Sequence, residues 1–199
     1  MESPSPFVAM HIRFDDEANK KAKRSIRTGK AEAEIDTSAA EAAAWCWDFC
    51  SNERMRIDEE KGNPARLIVG KVGFSEQRRA VIKRMPFPLS NREAVYRQIL
   101  SKAGNKIIIA TESIGDEVDY GRKIRRRVRL TGSNYHVFEP LSEDSSRFSI
   151  VQYLHAGGHI PAWVVNQKLP ESLSVAESLR EEFARDEEID EIKRGSMAA

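Results

Sequence analysis

The chain has 199 residues, 40% of them apolar, with 32 Lys plus Arg against 31 Asp plus Glu. A compact chain of this length is expected to form one domain and to bury roughly 70% of its unfolded surface. The net charge of +1 argues against a protein that coats nucleic acid, and no apolar run approaches the ~20 residues of a membrane-spanning helix.

Met1–Pro6 lack the basic and apolar regions of a signal peptide, and two cysteines make no disulfide framework. The expectation is a cytoplasmic, monomeric protein. In the first segment, Val8, Met10, Ile12 and Phe14 alternate with Ala9, His11 and Arg13, which predicts a strand with one apolar face. A second strand is expected over 26–36, where Ala31, Ala33 and Ile35 alternate with Lys30, Glu32 and Glu34. Ser38-Ala39-Ala40-Glu41 fits a capping box, so the alanine-rich run to about Cys50 reads as a helix burying Trp45 and Phe49. The charged stretch 51–64, ending in Gly62, Asn63 and Pro64, is expected to form no regular element.

Strands are then predicted over 66–73, 77–85, 93–101, 106–113, 122–131, 134–140 and 146–155. The short turns between them imply antiparallel neighbours in a long meander, because parallel pairs need long crossovers. After Gly157-Gly158, Pro161 suits a first helical position. Val165, Leu169, Leu173, Ala176, Leu179 and Phe183 recur at three- and four-residue spacing, giving one long amphipathic helix kinked at Pro170. An α+β fold satisfies this order: a strongly curved antiparallel sheet of about nine strands wrapped around the terminal helix. The domain is expected over 7–185, with a loose acidic tail over 186–199.

Three segments resemble the START family, the steroidogenic-acute-regulatory-related lipid-transfer domains. They are Ala80-Val81-Ile82-Lys83-Arg84-Met85-Pro86-Phe87-Pro88-Leu89-Ser90-Asn91-Arg92-Glu93, a strand leading into a turn, Val137-Phe138-Glu139-Pro140-Leu141, and Gly157-Gly158-His159-Ile160-Pro161-Ala162-Trp163 running on to Leu179-Arg180. Glu93 stands where the family more usually has Asp, and only Met1–Pro6 precede the first strand where the family places a further helix. The resemblance implies a helix-grip fold around an internal hydrophobic tunnel for one lipid. It also implies non-catalytic binding, with transfer between membranes through transient contact at their surfaces as an extension of it. The C-terminal helix and adjacent loops would act as the gate. Two other readings remain open at this point: an enzyme on the same fold, resembling polyketide cyclases, and a ligand-regulated interaction domain.

Within a strand over 122–131, Arg126 would be the one charge on the apolar face of Ile124, Val128 and Leu130 and would meet either a polar lipid end or an internal carboxylate. Lys123, Arg125, Arg127 and Arg129 read as a solvated outer face. Gln152 is a lone polar group among Phe148, Ile150 and Leu154. Arg97 shares a face with Val95 and Ile99, while Arg92 reads as a turn anchor. Tyr153, Trp163, Leu169, Leu173 and Ala176 complete the expected ligand-contacting set, with Trp163 also suited to a membrane interface. An enzyme would need an inward general acid or base among His136, Glu139, Tyr153 or His155. Cys46, Cys50, His155 and His159 mimic a zinc set, but about a hundred residues separate the two pairs, so buried structural cysteines are expected. No cofactor is implied.

Overall fold

The structure, a computed structural model, describes residues 6–14, 26–158 and 172–184. In chain order the elements are β1 (Ala9–Phe14), β2 (Ile26–Ile35), α1 (Ala39–Trp47), α2 (Asn52–Glu60), β3 (Ala65–Val72), β4 (Glu76–Lys83), β5 (Asn91–Ala103), β6 (Lys106–Ser113), β7 (Arg127–Arg129), β8 (Thr131–Pro140), β9 (Ser146–His155) and α3 (Val175–Glu182). All nine strands belong to one curved sheet with the order β1-β2-β9-β8-β6-β5-β4-β3, and β7 pairs with β5.

Side-chain alternation decides which face is inner. Val8 just before β1, Met10 of β1, Ala31, Ala33 and Ile35 of β2, Ile109 of β6, Phe138 of β8 and Phe148 and Ile150 of β9 all point to one side. There they pack with Ala39, Ala42, Ala43 and Cys46 of α1, and with Leu173, Ala176 and Leu179 at the C-terminal helix. α1 starts where expected: Ser38 Oγ accepts from Glu41 N at 3.2 Å, and Thr37 Oγ1 donates to the Glu41 carboxylate at 2.5 Å. Caps of this kind contribute about 1 kcal/mol.

Three expectations need correction. Residues 52–60 are helical, not irregular: Ser51 caps α2, and Arg56 bridges Glu53 and Glu60 on its exposed side. The strand expected over 122–131 shrinks to the three residues of β7, which runs parallel to β5, so the sheet is not wholly antiparallel. Arg126, just before it, has φ 52 and is exposed, so it lies on no strand face and lines no interior. Arg127 and Arg129 are not free in solvent either. Both reach buried Glu93, at 3.4 and 3.1 Å, and Tyr120 Oη donates to the same carboxylate at 2.9 Å. That network closes the outer face over Ala80, Val95 and Val118.

Candidate functional site

The inner face carries two separate apolar clusters. The larger is the α1–α3 core described above. The smaller lies toward the other end of β4 and β5, where Phe49, Val81 and Ala94 pack with Ile68, Tyr96 and Leu130. Between them the strand register lines up Gly29, Gln152, Asn134, Thr111, Gln98 and Gln77 as one row across β2, β9, β8, β6, β5 and β4. Five adjacent strands thus place an amide or a hydroxyl at the same level of an otherwise apolar surface.

One end of this row satisfies itself. Gln77 Nε2 donates to Trp47 O at 2.9 Å and to Gln98 Oε1 at 2.8 Å, and Gln98 Nε2 reaches Thr111 Oγ1 at 3.4 Å. The other end does not. Asn134 Oδ1 is buried without a hydrogen-bond partner, and elsewhere on the inner face so are His136 Nδ1, Ser146 Oγ and, on β4 beside Gln77, Arg79 Nε. Buried polar atoms nearly always have partners, so a cluster of exceptions calls for a cause. Burial, helped by the nearby Arg79 and Arg54 guanidinium groups, depresses His136 to about 3, so its ring is neutral at physiological pH. Burial also lowers Arg79, to about 10, which leaves it charged.

The expected site residues divide between the two faces. Gln152 stands on the inner face in the polar row, half-buried. Leu173 and Ala176 are fully buried in the larger cluster, and Leu173 sits against Gly29. Arg97 lies on the outer face, exposed and paired with Glu76 at 2.7 Å. Tyr153 also faces outward, 43% exposed. Neither lines the interior, and the reason is parity: each sits one residue away from an inward neighbour, Gln98 or Gln152. Trp163 and Leu169 lie outside the described residues. Of the acid–base candidates, Glu139 pairs on the outer face with Lys106 at 3.1 Å, and His155 lies beside Thr131. His136 alone of the four turns inward. Arg92 anchors a turn, as expected: its Nε donates to Ala156 O at 2.8 Å and its guanidinium also reaches Gly157 O and Ser90 O.

Comparison with solved structures matches this architecture. A STAR-related lipid transfer protein fragment from Xanthomonas axonopodis superposes with a TM-score of 0.71 at 19% identity, covering 92% of this chain and 97% of that one. The chain has a START-like fold. The human StAR-related lipid transfer protein 5 gives a TM-score of 0.66 at 14% identity, with 92% of this chain and 84% of that one covered. Human STARD10 gives 0.65 at 15%, covering 92% and 72% respectively. No family model and no curated protein matches the sequence. At these identities the START-like likeness is one of backbone, so the site must be argued from this chain's own residues.

Proposed function

We propose that this START-like domain binds a single amphiphilic lipid against the inner face of its sheet, without chemistry on it. The observation that carries the reading is the polar row set between two apolar clusters. A solid protein core has no use for Asn134, His136 and Arg79 atoms left without partners, because each costs about 1–3 kcal/mol when buried alone. A guest with one polar end and an apolar body offsets both demands. Its chain is driven inside at about 25 cal/mol per Å² of apolar area removed from water, and its head supplies the missing partners. The names of the superposed structures, lipid transfer proteins among them, point the same way.

Entry requires an opening. The C-terminal helix is the element for it, since it rests on β2 and β9 through a short apolar contact, and with the loops beside it would swing to admit a lipid at a membrane surface. The experiment is native mass spectrometry of protein purified from cells, followed by lipid extraction and by exchange with labelled vesicles. A stoichiometric, exchangeable lipid is expected. Folded protein that carries none and takes none up would overturn the reading.

A further inference from the structure

Three arginines on the inner side show how this fold treats a buried guanidinium. Arg92, 5% exposed, is met by three backbone carbonyls. Arg66 donates through Nε to Asp58 at 2.5 Å and through Nη1 to Phe49 O at 2.9 Å. Arg79, 9% exposed, makes no hydrogen bond or ion pair with any described residue, and its Nε is sealed from water.

What Arg79 touches is aromatic. Its guanidinium carbon lies 4.5 Å from the Phe49 ring centre and 5.6 Å from that of Tyr96. The Arg66 guanidinium carbon lies 4.3 Å from the same Phe49 ring. Stacking of this kind offsets only part of what an ion loses on leaving water. Arg54 is near enough to add to the positive field at Arg79. The buried carboxylate on this side, Asp58, is already shared by Arg66 and Lys83. The corner is therefore cationic and short of an acceptor. Two aromatic rings beside a guanidinium accept none of its N–H groups as an oxygen would, and the planar fork of such a group matches a carboxylate or a phosphate. Farther along the face, Asn134 Oδ1 and His136 Nδ1 are also unpartnered, but neither carries charge, which assigns the ligand's anionic group to Arg79.

We infer that the ligand is an anionic amphiphile whose carboxylate or phosphate pairs with Arg79 between Phe49 and Tyr96. This rests on the lipid-binding reading and narrows it to a class. A fatty acid and a phospholipid head offer the same chemistry at Arg79.

The test compares palmitate with hexadecanol, an uncharged partner of equal chain length, together with lysophosphatidic acid and inorganic phosphate alone, each titrated calorimetrically into the whole chain. Wild type should bind palmitate and lysophosphatidic acid at least tenfold more tightly than hexadecanol, and inorganic phosphate weakly. Arg79→Met should collapse that preference to within twofold, and Arg79→Lys should keep most of it. Equal binding of acid and alcohol by wild type, or an unchanged preference in Arg79→Met, overturns the assignment. Phosphate binding as tight as that of the lipids also overturns it, in favour of a simple anion site. If neither palmitate nor hexadecanol binds, the lipid reading itself fails, a different result from a lost preference. Should Arg79→Met not fold, the wild-type and Arg79→Lys ratios decide.

Discussion

Gln77 Nε2 donates to Gln98 Oε1 at 2.8 Å across the β4–β5 ladder, and both side chains are buried on the inner face. The pair is the anchored end of the polar row. Because Gln77 also holds Trp47 O, it ties the end of α1 to the sheet. Gln98→Leu would strand one Gln77 N–H and the Thr111 hydroxyl together. A buried group left unpaired costs about 1–3 kcal/mol, so a fall in unfolding stability of that size is expected from the urea midpoint. No change in the midpoint would show that water replaces the glutamine and that this end of the row is wet.

Asp58 fixes α2 to the sheet by a different device. It is 5% exposed and takes Arg66 Nε and Lys83 Nζ at 2.5 Å each, with Asn63 Nδ2 at 2.8 Å. Burial pushes its pKa up, but the hydrogen bonds and charges of Arg66 and Lys83 outweigh burial and hold it below 3.8. Asp58→Asn removes the charge that neutralises two cations and should cost about 3 kcal/mol, at the low end for a broken buried pair because Lys83 keeps one side in water. A folded-state pKa below the unfolded one contributes stability that is present above pH 3.8 and lost as pH falls through the lowered value. The variant should therefore lose less stability than wild type in that strongly acid range, as read by thermal melts.

His136 sets a second acid limb at higher pH. Its ring lies edge-on to Phe148, with centroids 5.4 Å apart, and burial holds its pKa to about 3 against an ordinary 6.5. Between those values the unfolded chain takes up a proton that the native ring refuses. Stability then falls as pH falls, by up to about 1.4 kcal/mol per pH unit, or about 2 kcal/mol by pH 5. His136→Gln should flatten the stability profile between pH 6.5 and 4 whatever it does to the maximum. A profile of unchanged slope would place the responsible group elsewhere.

Much of this fold is legible from alternation, because β1, β2, β8 and β9 each bury one face and the period of two survives in their burial, while β4 and β5 bury residues on both faces. α2 is not, since a helix that is polar nearly all round leaves no apolar stripe to read. Its traces are the Ser51 cap and the Glu53–Arg56–Glu60 spacing, which mark a helix through surface ion pairs rather than through a core. The run from Arg122 to Leu130 misleads for the opposite reason. Its alternation is real, but Arg126 turns into the left-handed region and breaks the strand. The site fails to show in sequence because it is a property of register. Gln77, Gln98, Thr111 and Asn134 are unremarkable polar residues on four strands until pairing sets them level. Arg79, beside the exposed Arg78, declares itself only by having no partner.

Gly29 is a point of close approach between the sheet and Leu173 of the C-terminal segment. A Cβ there would lie 2.6 Å from Leu173 Cδ1, a contact no side chain tolerates without movement, and Leu173 is fully buried. Gly29→Ala is a balance. The alanine removes unfolded-state freedom worth about 0.4–1 kcal/mol, while Leu173 must swing aside from its packed position. Gly29→Val removes the ambiguity, because a branched side chain cannot share the space at all. Leu173 displaced from its seat loses contacts comparable to part of a Leu→Ala deletion, which costs about 2–5 kcal/mol, and it lies immediately before α3. Gly29→Val should therefore expose α3 to limited proteolysis and speed lipid exchange with vesicles several-fold, with the strands still protected. If α3 resists protease as in wild type and exchange is unchanged, the contact between Gly29 and Leu173 does not hold the helix down.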